Sequence, residues 1–246
     1  MLRTPFLALP IALCAVLATA ACAELLLVPL DCFGNRADAK KVKEVLDHCT
    51  FQHTLKDTRF ISTPGTFNYL LDRMPFTTTV MRELKLAKYV VTTRPDGVMW
   101  CDDNDGMVGT FEPVYCTDAK RVFYGNGTFD APILGKIRGE SVIVLDYVQD
   151  EPGTIRNTVT IFLRVHSFFA PIMKLAAPIV KGMVTRKSAS LLGACTKLAE
   201  QLSTDPQSLY DQIRTSESIT EDEQADFRKA FLPDTVMREP ALPVAQ

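Results

Sequence analysis

Three stretches hold residues whose types and spacing could do chemistry. The first is WCDDNDGMVGTFEPVYC, Trp100 to Cys116. Counted from Cys101, it sets Asp103, Asp105, Gly106 and Glu112 at the third, fifth, sixth and twelfth positions of a calcium loop. The second, DHCTFQH, gathers Asp47, His48, Cys49 and His53, all of them zinc-ligand types. The third is the set Asp146, Tyr147, Arg164 and His166, groups able to pair with one another or to move a proton.

Each stretch also has a plainer reading. A calcium loop of this kind needs a helix on either side, whereas Val98–Cys101 and Val108–Tyr115 are strand-like and Cys101 replaces the first carboxylate. The expectation is a carboxylate-rich tight turn at the rim of a sheet. His48 and His53 would fall on different faces of a helix, which favours a helix end over a metal site. Arg164 alternates with Val159, Ile161, Leu163 and Val165, so it belongs to a polar sheet face and to surface ion pairing. No nucleophile elbow, phosphate loop, dinucleotide fingerprint or H-E-x-x-H occurs, and RGESVI lacks the second glycine of an elbow. No catalytic residue, metal or cofactor is therefore assigned, and binding is favoured over catalysis.

The elements that must position these residues follow from periodicity. Ala37–Cys49 reads as a short amphipathic helix on Val42, Val45 and Leu46. STPGTFNYLLDRM gives a second helix, capped by Ser62 or Thr63, and PFTTTVMREL gives a third that begins at Pro75. After Leu86 the period becomes strand-like, with Asp96-Gly97, Asp105-Gly106 and Asn126-Gly127 as hairpin-turn dipeptides. Six antiparallel strands are the natural count. A long helix over Ser167–Leu202 then carries Ile172, Ala176, Ile179, Met183, Leu191, Ala194, Leu198 and Leu202 on one stripe, with Pro178 expected to kink it. Its five cations, Lys174, Lys181, Arg186, Lys187 and Lys197, read as a solvated face or as a face toward anionic lipid. Asp205-Pro206 and a Thr220…Glu223 capping box start further helices.

With 246 residues, 47% of them hydrophobic, the chain can bury a sizeable core; a formal net charge of −2 and a pI near 6.0 leave no footprint for nucleic acid. The N-terminus has Arg3, then no charge until Glu24, and small residues at Ala18–Ala23, the layout of a secretory signal. LATAAC resembles a lipobox, which makes Cys22 the lipidation candidate; an uncleaved helix from Pro5 to Ala23 is the alternative. The protein is thus expected outside the cytoplasm, periplasmic or membrane-anchored. Setting aside Cys14 and Cys22 leaves Cys32, Cys49, Cys101, Cys116 and Cys195, an odd number, with Cys195 in a helical pattern as the buried unpaired thiol. A turn centred on Asn104–Gly106 sets Cys101 opposite about residue 108, too far from Cys116 for a disulfide.

Small helices, an antiparallel sheet and a long C-terminal helix, with YGNGTFDAPILGKIRGESVIVLDYV followed by NTVTIFLRVHSFFAPIMKLAAPIVKGMVTRK, resemble the START-like, or helix-grip, superfamily over roughly Phe60 to Leu202. The resemblance implies an α+β fold: a six-stranded antiparallel sheet curved around the long helix, small helices before it, ELLLVPL as the candidate for its first strand, and an apolar cavity between sheet and helix. The domains expected are 1–23 as signal or anchor, 24–202 as the START-like domain, and 203–246 as a helical C-terminal appendage. Cavity-lining candidates are Tyr89, Trp100, Phe111, Phe123, Leu145, Tyr147, Ile161, Leu163, Met173, Ile179 and Met183. The expected function is non-enzymatic binding or transport of a hydrophobic, lipid-like molecule, with the membrane surface as a partner. The alternatives are a cyclase-like enzyme using Tyr147, Asp146 or His166, and an interaction lipoprotein without ligand.

Overall fold

A computed structural model describes residues 33, 36–131, 135–166 and 170–232. The element order is α1 (Arg36–Asp47), β1 (Phe51–Ile61), α2 (Pro64–Asp72), α3 (Met74–Glu83), β2 (Val90–Thr93), β3 (Met99–Asp102), β4 (Met107–Cys116), β5 (Lys120–Ala131), β6 (Gly135–Glu151), β7 (Thr154–His166), α4 (Ala170–Thr204), α5 (Pro206–Ile213) and α6 (Glu221–Phe231). The strands form one antiparallel sheet in the order β1-β7-β6-β5-β4-β3-β2. This arrangement, a strand, two helices, a six-strand meander and a long helix laid over the sheet, is the helix-grip topology.

The sheet differs from expectation in three ways. It has seven strands, because Phe51–Ile61 pairs with β7 as an edge strand; DHCTFQH is thus the junction between α1 and that strand. ELLLVPL lies outside the described residues. Only α1 precedes the sheet, since α2 and α3 sit between β1 and β2. Asn126-Gly127 is not a turn: it lies mid-strand in β5, opposite Thr110 and Gly109. The other turn dipeptides behave as their chemistry requires, with Gly97 at φ +83° and Gly106 at φ +89°.

Alternation gives the sheet two unlike faces. On the outer face Val114, Val122, Tyr124, Val142, Val144 and Phe162 pack against Val42, Val45 and Leu46 of α1. Fully burying each of these α1 side chains stabilises by about 1.5–3 kcal/mol. Ion pairs fix the edges of the contact: Lys41 to Glu112 at 2.6 Å, and Arg164 to Glu44 at 3.3 Å and to Glu140 at 3.2 Å. On the inner face, Phe60, Leu145, Tyr147 and Ile155 join α2, α3 and the C-terminal half of α4 in the main core. Leu209, Ile213, Ile219, Phe227 and Leu232 belong to that same core, so the helices after residue 203 complete it. Their starts follow the sequence signals: Asp205 accepts from Ser208 N–H, and Thr220 and Glu223 form a capping box. The long helix runs unbroken through Pro178.

Glycines let the sheet curl. A Cβ on Gly109 would stand 2.6 Å from Asn126 O and one on Gly127 2.7 Å from Val108 O, where β4 and β5 close on each other. Gly109→Ala is expected to lower stability by about 1–3 kcal/mol, because backbone must shift to admit the methyl. Gly193→Ala, where a Cβ meets nothing within 4 Å in mid-helix, is expected to be neutral or to gain about 0.5–1 kcal/mol. Urea midpoints measure both; equal effects would refute the close approach at Gly109.

Candidate functional site

The site is built from the inner face. Cross-strand register aligns Phe111 with Gly125, Phe123 and Ile161 with Ile143, and Leu163 with Ser141. The long helix α4 meets this face in two separate clusters. Near its start Val180, Met183 and Val184 pack on Phe129, Ile137, Leu163 and Val165; near its end Ala194, Leu198 and Leu202 pack into the main core. Leu191 lies between the two on the same helical stripe, yet it is 38% exposed. On the inner face Phe111, Ile143 and Ile161 are half-buried and belong to neither cluster. The contrast within β6 is sharp: Val142 and Val144, facing α1, are 0% and 1% exposed, while Ile143 between them stays open. Around Ile143 the helix-facing side of the sheet is the less covered one. Four of its sheet positions are Gly109, Gly125, Gly127 and Ser141, which project little or nothing toward the helix and leave depth there.

The carboxylate turn lies at the sheet edge opposite β1. Between β3 and β4, Asp103 accepts hydrogen bonds from the N–H groups of Asp105 and Met107, each at 2.8 Å. The cation it holds is the Lys187 ammonium, donated by α4. That ammonium hydrogen-bonds Asp103 Oδ2, Asp105 O at 2.8 Å and Asp105 Oδ2 at 2.8 Å. It also stands 5.4 Å from the Phe129 ring centroid. Lys187 and Asp103 are only 9% and 5% exposed. The turn is thus tight and rim-located as expected, and its calcium-like oxygens serve a lysine of the same chain. The hydrogen bonds from Lys187 hold the Asp105 carboxyl below the usual carboxylate range. This corrects the reading of Lys187 as part of a solvated face. Nothing in the helical period distinguished it; only the spacing of acids in the turn, matched to a cation from afar, carried a signal.

The remaining predicted residues divide. Phe111, Phe123, Ile161 and Leu163 share the inner face, and Met183 joins the upper helix contact. Ile179 is half-buried on α4. Leu145 and Tyr147 are inner-face core, the Tyr147 hydroxyl donating to Asn68 Oδ1 at 2.5 Å, with burial pushing its pKa up to about 12. Tyr89 lies in the connection before β2, its hydroxyl donating to Lys187 O at 3.4 Å. Trp100 is not with them: its register with Thr110, and of Thr110 with Asn126, puts it on the outer face. Met173 and Cys22 lie outside the described side chains. The acid/base set is not assembled. Asp146, next to Tyr147 and so on the opposite face, pairs with Lys120 at 2.9 Å, and His166 pairs with Glu140 at 2.8 Å at the α1 side. Sequence reasoning missed Ile143, and it read Leu191 only as part of the helical stripe and His53 only as a metal-ligand type. The His53 ring stacks on Phe51, 6.3 Å between centroids, and its Nε2 is buried without a partner.

Among the described residues no group of His, Cys, Asp and Glu could hold a metal ion, and Cys101, Cys116 and Cys195 are free thiols. Burial, helped by Asp103 and Asp102, pushes the Cys101 thiol up to about 11; burial pushes Cys195 up to about 12. Among the described residues no helix is long and apolar enough to cross a membrane.

No family model matches the sequence, and no curated protein matches it either. Among solved structures the chain is similar to a conserved protein from Geobacillus kaustophilus, at 12% identity and TM-score 0.46 over 62% of this chain and 97% of that one. It is also similar to the Zhui aromatase/cyclase from Streptomyces sp. R1128, at 13% identity and TM-score 0.46 over 64% and 99%. A START superfamily protein from Mycobacterium smegmatis matches at 12% identity and TM-score 0.40 over 61% and 98%. The assignment itself rests on the chain's own strand order and long helix: the protein has a START-like helix-grip fold.

Two outcomes are expected here. Lys187→Met should destabilise the protein by about 3–5 kcal/mol, because it strands the buried Asp103 carboxylate. Adding Asp103→Asn should recover much of that loss; an uncoupled double-mutant cycle would refute the pairing. At pH 8 iodoacetamide should alkylate the exposed Cys116 well before Cys101 and Cys195, read by mass spectrometry.

Proposed function

We propose that the protein binds, without transforming it, a hydrophobic small molecule in the groove between the inner sheet face and α4. One observation carries this reading: among its described side chains the long helix packs apolar residues at Val180–Val184 and again from Ala194, and between these Leu191 is exposed while Phe111, Ile143 and Ile161 of the inner face are only half-buried. Apolar concavities with few polar groups are the common form of small-molecule site. The dispersion of Tyr147, Asp146 and His166 over different parts of the fold supports binding ahead of an acid/base mechanism that uses them. A role outside the cytoplasm, with Cys22 as a tether, is proposed with it. Its support is the charge and small-residue pattern of the first 23 residues.

The test is purification from the native host, lipid extraction and mass spectrometry, with binding of the extracted species to wild type and to Ile143→Trp. An apolar molecule should co-purify, and the indole should weaken its rebinding at least about tenfold by filling the groove. A side chain in open space should leave the melting temperature unchanged or raised. No co-purifying molecule, together with full packing tolerance of Leu191→Asp, would overturn the proposal.

A further inference from the structure

Beside the groove lies a concavity of about 790 Å³ bounded by the turn after α3, the β3–β4 turn and the middle of α4. Its charged lining is Arg82, Lys85, Lys88, Arg186 and Lys187 against Asp103 and Asp105. The two acids are already committed. Asp103 is buried under Lys187, and Asp105 bonds Lys187 and stands 4.0 Å from Arg186. Arg82 donates only to Thr79 Oγ1, at 3.1 Å, and no ion pair is formed by Arg82, Lys85 or Lys88 among the described residues. The end of α3 does not cancel these cations with free carbonyls. Leu84 N–H bonds Val80 O, Lys85 N–H bonds Arg82 O, and Leu86 N–H bonds Met81 O, in a turn that sets Lys85 at φ +55°. Five cations face two acids, so positive charge is in surplus on this lining even with Asp105 near Lys88 and Arg186.

The same concavity has an apolar side. Leu86, Ala87 and Tyr89 line it; the Tyr89 hydroxyl meets Lys187 O and interacts with Ser190, and Lys187 stands over Phe129, which packs with Val180 and Met183. Cations at a rim and carbon surface leading inward match one ligand chemistry. Resting on the reading of the groove as a hydrophobic-ligand site, we propose that the ligand is an anionic amphiphile, a chain bearing one carboxylate or phosphate. Its head is taken by Lys85, Lys88, Arg82 and Arg186. Lys187, occupied by its two carboxylates, takes no part. Exposed charges of this kind act through proximity and are screened by salt, so the preference is largest at low ionic strength.

Full-length protein titrated with dodecyl phosphate, dodecanoate, dodecanol and inorganic phosphate separates the possibilities. Dodecyl phosphate and dodecanoate are expected to bind at least about tenfold tighter than dodecanol at low salt, a preference of about 1.4 kcal/mol. Lys85→Gln/Lys88→Gln should erase that preference while dodecanol binding and the melting temperature stay at wild-type values. Equal affinity for the charged and neutral chains would overturn the headgroup assignment and leave the apolar groove standing. No binding of any chain would overturn the groove reading and this one together. Inorganic phosphate binding as tightly as dodecyl phosphate would assign the cations to a free anion and overturn the amphiphile. Binding only to vesicles containing anionic lipid, not competed by dodecyl phosphate, would assign them to a membrane surface and overturn it as well.

Discussion

The Lys187 ammonium, buried in the oxygens of the β3–β4 turn, is the contact that sets how far the sheet wraps its helix. At the β1 edge the inner face is held by a continuous apolar core. At the opposite edge β2 and β3 are four residues each, and a strand pair of that size has little stability of its own. What ties that edge to α4 is the Lys187 cation between two carboxylates of the turn, together with the Tyr89 hydroxyl on Lys187 O and Arg186 beside Asp105. Burying such a pair costs desolvation that its Coulomb attraction only partly repays, so its contribution is to geometry more than to net stability. An aliphatic residue at 187 could pack in many ways. An ammonium with three donors and three waiting oxygens has one place to go.

That fixed spacing explains why the inner face stays open in its middle. The helix is held by the main core below Ala194, by the Val180–Ile137 cluster above, and sideways by Lys187, so it cannot settle onto Ile143 and Ile161. Glycine at 109, 125 and 127 lowers the floor further. The outer face has the reverse arrangement: α1 carries its apolar residues on one side and lies directly on Val142 and Val144, with Lys41–Glu112 and Arg164–Glu140 closing its rim. The outer packing is what lets the sheet do without a sealed inner layer. A two-layer domain usually has a single core; here the sheet has apolar layers on both sides, and the open one is the inner.

How much of this was legible in the sequence depended on which physical rule each residue obeyed. Asp96-Gly97 and Asp105-Gly106 were readable because a tight turn needs positive φ. Asn126-Gly127, the same kind of dipeptide, misled because Gly127 is there for close backbone approach within a strand, a need that leaves no local mark. The first strand was hidden because FQHTLKDTRFI is polar at alternate positions and breaks register between Leu55 and Thr58, which blurs its period. Phe111, Phe123, Ile161 and Leu163 were found by alternation. Trp100 was misplaced by one step of the same alternation, and such a step reverses the face. Lys187 was beyond reach, since its partners are more than eighty residues away and a helical period cannot tell a buried lysine from a solvated one.

The open groove also has an energetic meaning. Leu191, Ile143, Ile161 and Phe111 each leave part of their carbon surface in water. Each apolar side chain left half-exposed forgoes up to about 1 kcal/mol of the transfer free energy that full burial would supply. For a domain whose total stability is typically about 5–15 kcal/mol, four such positions are a sizeable concession. On the inner face these four are concentrated in one region, between the two helix contacts. A ligand that covered these four side chains would add its own burial to the stability of the folded state, so its occupancy and the persistence of the fold would be linked.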